Sequence, residues 1–96
     1  MDTVTLLIAH KVMSERSIRG TARVMGKPVS SIAAAIDRLE NQISVPLVQK
    51  AGTSVVLTLE AERLSPSIKL LADHVEEIMA IGSRSRPDVS LSLAAL

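Results

Sequence analysis

No phenylalanine, tryptophan or tyrosine occurs in this chain of 96 residues. Nucleic-acid binding by base stacking needs aromatic platforms, so their absence argues against it, while groove reading of duplex DNA stays open. Cysteine is also missing, which excludes a disulfide framework and a thiolate metal site. No apolar run approaches the roughly 18 residues that a membrane-spanning helix needs. The opening residues, MDTVTLLIAHK, are too short and wrongly flanked for a secretion signal, so a cytoplasmic location is expected, with no membrane partner. Chemistry-bearing patterns are absent too. There is no phosphate loop, nucleophile elbow or metal motif. His10 and His74 stand alone, and Asp73, Glu76 and Glu77 read as the solvated side of a helix. The sequence therefore offers no catalytic residue, metal ligand or cofactor, and no enzyme is expected.

What is present is a 47% hydrophobic content, enough for one small core of Leu, Ile, Val, Met and Ala. Net charge is only +1, but it is unevenly placed. Residues 1–58 carry Lys11, Arg16, Arg19, Arg23, Lys27, Arg38 and Lys50 against Asp2, Glu15, Asp37 and Glu40, an excess of three positive charges. Residues 59–96 carry four basic and six acidic side chains, an excess of two negative charges. The positive excess falls on the most informative stretch, IRGTARVMGKPVSSIAAAID over 18–37. In it Ala22 precedes Gly26 by four residues, and Gly26 precedes Ile32 by six. Two helices that cross tightly need a small residue where they meet, a left-handed turn between them, and an apolar side chain sent back under the first helix. Ala22, Gly26 and Ile32 meet those needs, and Pro28 suits a helix start. The spacing predicts a helix-turn-helix, whose second helix commonly reads the major groove.

Around it, Leu6, Ile8, Ala9, Val12 and Met13 give residues 4–14 a helical apolar face. Ser17 is placed to cap a second helix reaching Met25, with Ala22, Val24 and Met25 inward. The third helix is expected over 28–43, with Ile32, Ile36 (or Ala35), Leu39 and Ile43 on one buried face. Residues 47–50 and 54–58 read as short strands about an Ala51-Gly52-Thr53 turn, a two-stranded wing. From Leu57, the residues Ala61, Leu64, Ile68, Leu71, Val75 and Ile78 recur at spacings of 4, 3, 4, 3, 4 and 3. That is an a/d seam on one long helix, and a second copy is its simplest partner. Pro66, off the seam, predicts a kink or the helix's first turns. Past Gly82 the pattern predicts a polar hinge and then a strand over 89–93. The fold class expected is mainly α. A winged helix-turn-helix over 1–58 leads to a dimerising linker helix over 59–82, and 83–96 form the hinge and first strand of a further domain. A lone strand suggests the opening part of a longer protein, or a shortened form of one.

At this point the chain resembles the N-terminal DNA-binding domain of LysR-type transcriptional regulators. The resemblance covers about residues 4–82 and rests on SIRGTARVMGKPVSSIAAAIDRLE, VPLVQKAGTSVVLT and EAERLSP. It implies a winged helix-turn-helix, a linker helix that dimerises, and a periplasmic-binding-protein-like effector domain. Dimers pair into tetramers in many such full-length proteins. The partners implied are double-stranded DNA, a second copy of the chain, and a small-molecule effector reached only through the effector domain, which is almost wholly absent here. The chain departs from the family's pattern in carrying Ala33 and Ala34 where Ser and Arg commonly project. Val48 stands for Phe, Lys50 and Thr53 for Arg in the wing, and Ala61 for Gly.

The residues expected to touch DNA are Arg16, Ser17 and Arg19 around the start of the second helix, and Lys27 and Pro28 in the turn. Val29, Ser30, Ser31, Ala34 and Arg38 follow on the third helix, and Lys50, Thr53 and Ser54 in the wing. Dimerisation is expected through Leu64, Ile68, Leu71, Val75 and Ile78. The function expected is sequence-specific binding of duplex DNA as a dimer in transcription regulation. The alternative is a winged-helix protein-interaction or oligomerisation module that has lost specific DNA binding and docks a protein on the alanine-rich face at 33–35. A third reading, a winged helix shaped like the multiple-antibiotic-resistance repressors, fits the short three-helix lead-in less well.

Overall fold

A computed structural model describes residues 2–95, and the side chains of residues 2–84. Its element order is α1 (Thr3–Glu15), α2 (Ile18–Met25), α3 (Val29–Ile43), β1 (Val48–Ala51), β2 (Ser54–Leu57) and α4 (Leu59–Ala95). Each boundary has a local cause. Asp2 caps α1 by accepting from the Thr5 N–H at 2.7 Å. That bond, with help from the Arg38 charge, holds its carboxyl below the ordinary value. Ser17 Oγ accepts from the Gly20 N–H at 2.8 Å and starts α2. Gly26, at φ 64°, ends it in the left-handed conformation, and Lys27 N–H closes the turn on the Ala22 carbonyl at 3.0 Å.

Leu6, Ala9 and Val12 of α1 meet Ala22 of α2 and Ile32, Ile36 and Leu39 of α3 in one core, joined by Leu47, Val55, Ala61 and Ile68. Ala22 and Ile32 are both buried, as the helix-turn-helix spacing requires. Val24 is not inward: it is 57% exposed. Two residues along a helix turn the side chain about 200°, so Val24 faces away from Ala22, and Thr21, fully buried, takes the inner place. Its hydroxyl donates to the Ser17 carbonyl at 2.8 Å.

The strands pair antiparallel, Val48 opposite Leu57 and Ala51 opposite Ser54, about Gly52 at φ 64°. β1 keeps its expected length but starts one residue later and takes in Ala51, and β2 ends one residue earlier, at Leu57. Leu47 and Thr58 flank the two strands, the Thr58 N–H donating to the Leu47 carbonyl at 3.0 Å. Leu47 is fully buried beneath the wing. Thr58 Oγ1 donates to the Pro46 carbonyl at 2.6 Å and accepts from the Ala61 N–H at 3.1 Å, which caps α4. Glu40 Oε2 accepts from the Leu47 and Val48 N–H groups at 2.7 and 3.2 Å, and Val55 N–H donates to the Arg16 carbonyl at 3.0 Å. The wing is thereby fastened to α3 at one edge and to the α1–α2 junction at the other.

α4 packs along α1. It continues through Pro66, Gly82 and Pro87 to Ala95, where the sequence predicts a hinge at 83–88 and a strand at 89–93. A single strand leaves its backbone donors and acceptors unpaired, whereas a helix satisfies them within itself. Residues 83–95 are helical as part of α4.

Candidate nucleic-acid interface

The exposed side of α3 is set by which of its residues turn inward. Ile32, Ile36, Leu39 and Ile43 turn into the protein. Two residues before each of them stand Ser30, Ala34, Asp37 and Asn41, all exposed. The same 4-3-4 spacing, displaced by about 200°, makes this the outward stripe. Pro28 at the N-cap makes no side-chain capping bond, so the first α3 N–H groups point outward at the positive helix end. Of the alanine face at 33–35, only Ala34 is open. Ala35 is buried and Ala33 half-buried, because three consecutive helical positions span most of the circumference.

A crevice flanks the stripe on either side. Toward the wing, Arg19, Val29 and Ala33 face Lys50, Thr53 and Ser54. Toward α1, Lys27, Ser31, Ala34 and Arg38 face Asp2 and Thr5. Each crevice thus holds two cations and at least one hydroxyl. Arg38 is drawn to α1: its Nη1 donates to Thr5 Oγ1 at 3.4 Å and lies 4.0 Å from Asp2. Arg16 sits 4.0 Å from Glu62, at the far end of the wing's attachment, and Ser17 is occupied as a helix cap. The structure therefore brings together Arg19, Lys50, Thr53 and Ser54 as one group and Lys27, Ser31 and Arg38 as another. Pro28, Val29 and Ser30 lie at the helix start, and Arg16 is directed toward α4. Among the described residues no group of three or more His, Asp or Glu could hold a metal ion.

Residues 5–62 match the pattern described as bacterial regulatory helix-turn-helix protein, lysR family. This chain belongs to the LysR family. The family consists of transcriptional regulators, not enzymes. The LysR-family chain is 29% identical over 76 residues to nodulation protein D 1 of Rhizobium leguminosarum bv. phaseoli, a match covering 79% of it but only 24% of that relative. It spans about a quarter of the length of the curated relatives it matches. Its fold is shared with the DNA-binding domain of CbnR in a complex with DNA, at a TM-score of 0.74 and 18% identity over 93% of this chain and 99% of that one. The DNA-binding domain of BenM on benA site 1 DNA aligns at 0.74 and 19% identity, covering 88% of this chain and 94% of that one. A Corynebacterium glutamicum OxyR mutant aligns at 0.79 and 19% identity, covering 88% of this chain and 26% of the longer one.

The remaining expected contacts of this LysR-family chain concern α4. Leu64, Ile68 and Val75 pack on the protein's own core, Ile68 being 9% exposed. Leu71 and Ile78 are 45% and 69% exposed. The seam is divided because α1 already covers its inner half. Ala61, Ile68 and Ala72, at spacings of seven and four, mark that covered line, while Leu71 and Ile78 lie one position to its side. Leu70 and Ile81, also exposed, widen the free stripe. Sequence reasoning missed Glu40 as the clamp on the wing, Thr5 as the partner of Arg38, and Asp37 and Asn41 on the outward side of α3. The last two were legible: they continue the spacing of Ser30 and Ala34.

Proposed function

We propose that this LysR-family domain binds duplex DNA sequence-specifically as a homodimer and regulates transcription from that site. The observation that carries the reading is the outward stripe of α3 with a cationic crevice on each side. An α-helix fits the major groove, and the phosphates bordering that groove then lie beside it on both flanks. Arg19 and Lys50, with Thr53 and Ser54, take one phosphate strand. Lys27, Ser31 and Arg38 take the other. The uncapped N–H groups at Val29 and Ser30 suit a phosphate at the positive helix end. The DNA-bound domains of CbnR and BenM, alike in fold, support the same mode.

The free stripe of α4, with Leu71 and Ile78 at its centre, pairs with its copy and sets the distance between two half-sites. In the longer protein implied by the relatives' length, α4 joins this unit to an effector-binding domain, where dimers pair into tetramers in the cytoplasm. No described helix is long and apolar enough to cross a membrane.

A binding titration on promoter fragments at rising salt tests the reading. Affinity falls steeply with salt, and Arg19→Ala or Lys50→Ala weakens all duplexes alike while lowering the log–log salt slope by about 1 each. Affinity indifferent to salt, or no fragment bound, would sink it.

A further inference from the structure

The outward stripe of α3 contains an acidic residue, Asp37, with no hydrogen bond or ion pair among the described residues. The neighbouring cation, Arg38, is engaged with Thr5 and Asp2 at the base of α1 instead. Asp37 follows Ala34 by three residues and Ser30 by seven, so these three side chains follow one line. Its neighbours there are small. Ala33 and Ala34 lie one turn before it, leaving a short carboxylate room to approach whatever the helix is laid against.

Resting on the DNA-binding reading above, we propose that Asp37 determines base specificity, by requiring an amino group from cytosine or adenine at one position of each half-site. The reason is the groove's inventory. A carboxylate only accepts hydrogen bonds. The major-groove edges of guanine and thymine present acceptors and a methyl group, and the donors there are the N4 amino group of cytosine and the N6 amino group of adenine. A carboxylate pressed among acceptors loses its water and gains nothing, so a G·C or A·T pair must be oriented to offer its amino group to this side chain. Phosphates repel it as well, which makes Asp37 useless as a backbone contact. The small apolar Ala34, one turn earlier on the same line, suits a thymine methyl group. The half-site is accordingly read by exclusion and apolar contact more than by long polar arms.

The test is selection from a random duplex library with the 96-residue chain and with Asp37→Ala and Asp37→Asn, sequencing what each retains. Asp37 is exposed, and matching thermal unfolding curves establish that the variants fold. The expected result is one position in each wild-type half-site enriched about tenfold or more in cytosine or adenine. Asp37→Ala loses that preference alone. Asp37→Asn moves it toward adenine, which an amide can pair at both N6 and N7. The same motif from wild type and Asp37→Ala overturns the proposal while leaving DNA binding standing. A wild type that enriches nothing overturns both.

Discussion

Three non-helical residues in the described chain take the left-handed conformation at helix ends, and they are not alike. Gly26 at φ 64° adopts it freely, whereas Arg16 at φ 53° and Ser44 at φ 57° carry a Cβ into it. The left-handed region costs an L-residue about 1–2 kcal/mol. Arg16 is compensated, since its carbonyl holds the Val55 N–H. Ser44 ends α3 through backbone bonds to the Glu40 carbonyl, which any residue supplies. We expect Ser44→Gly to stabilise the domain by about 0.5–1 kcal/mol, part of the relief being offset by the freer unfolded chain, and Gly26→Ala to cost about 1 kcal/mol. A Cβ at Gly26 meets nothing within 4 Å, so the loss there is conformational. Thermal unfolding of the pair checks both signs. Gly26 is legible from sequence because glycine advertises the conformation. Ser44 is not, because nothing about serine signals it.

At the scale of the element, the wing is the part least able to stand alone. Two four-residue strands form no stable unit in water, so β1 and β2 depend on what fastens them. Glu40 supplies two of those bonds from the last turns of α3, and its side chain is half-buried there. Truncating it leaves the Leu47 and Val48 N–H groups without their acceptor. Glu40→Ala is expected to cost about 2 kcal/mol by chemical denaturation, and Glu40→Gln less, since an amide oxygen still accepts. Equal losses for the two would show that the carboxylate's shape matters more than its hydrogen bonds. The same fastening places Lys50, Thr53 and Ser54 opposite Arg19, so weaker duplex binding by Glu40→Ala is expected as well. The strands themselves are legible from alternation and Gly52. Their attachment is not, because a bond between residues seven apart in sequence has no periodic signature.

Over the whole molecule, the longest dimension is 56 Å against 25 and 19 Å for the others, and α4 accounts for it. A helix of 37 residues is about 55 Å long at 1.5 Å per residue. The body of the domain covers one side of its first half. The side bearing Leu70, Leu71, Ile78 and Ile81 stays exposed, and it is the stripe on which the proposed homodimer rests. Leu71→Asp with Ile78→Asp is expected to give a monomer by sedimentation with its helical circular dichroism intact. Ile68→Asp, which buries a charge in the core, is expected to unfold the chain instead. A double variant that sediments as a dimer would remove α4 from the interface.

The sequence by itself determined the helix-turn-helix, the wing, the long helix and the family. Each is written in short-range spacing: a small residue, a glycine and an apolar residue at fixed intervals, alternation, and a repeating heptad. Only the tertiary structure decided how the exposed sides are allotted. The seam on α4 reads as continuous, yet α1 consumes Ile68 and Ala72 and leaves Leu71 and Ile78. Arg38 reads as a free DNA contact at the end of α3, yet the base of α1 holds it through Thr5 and Asp2. Both outcomes depend on which distant element reaches a side chain first, and periodicity along one helix carries no information about its neighbours.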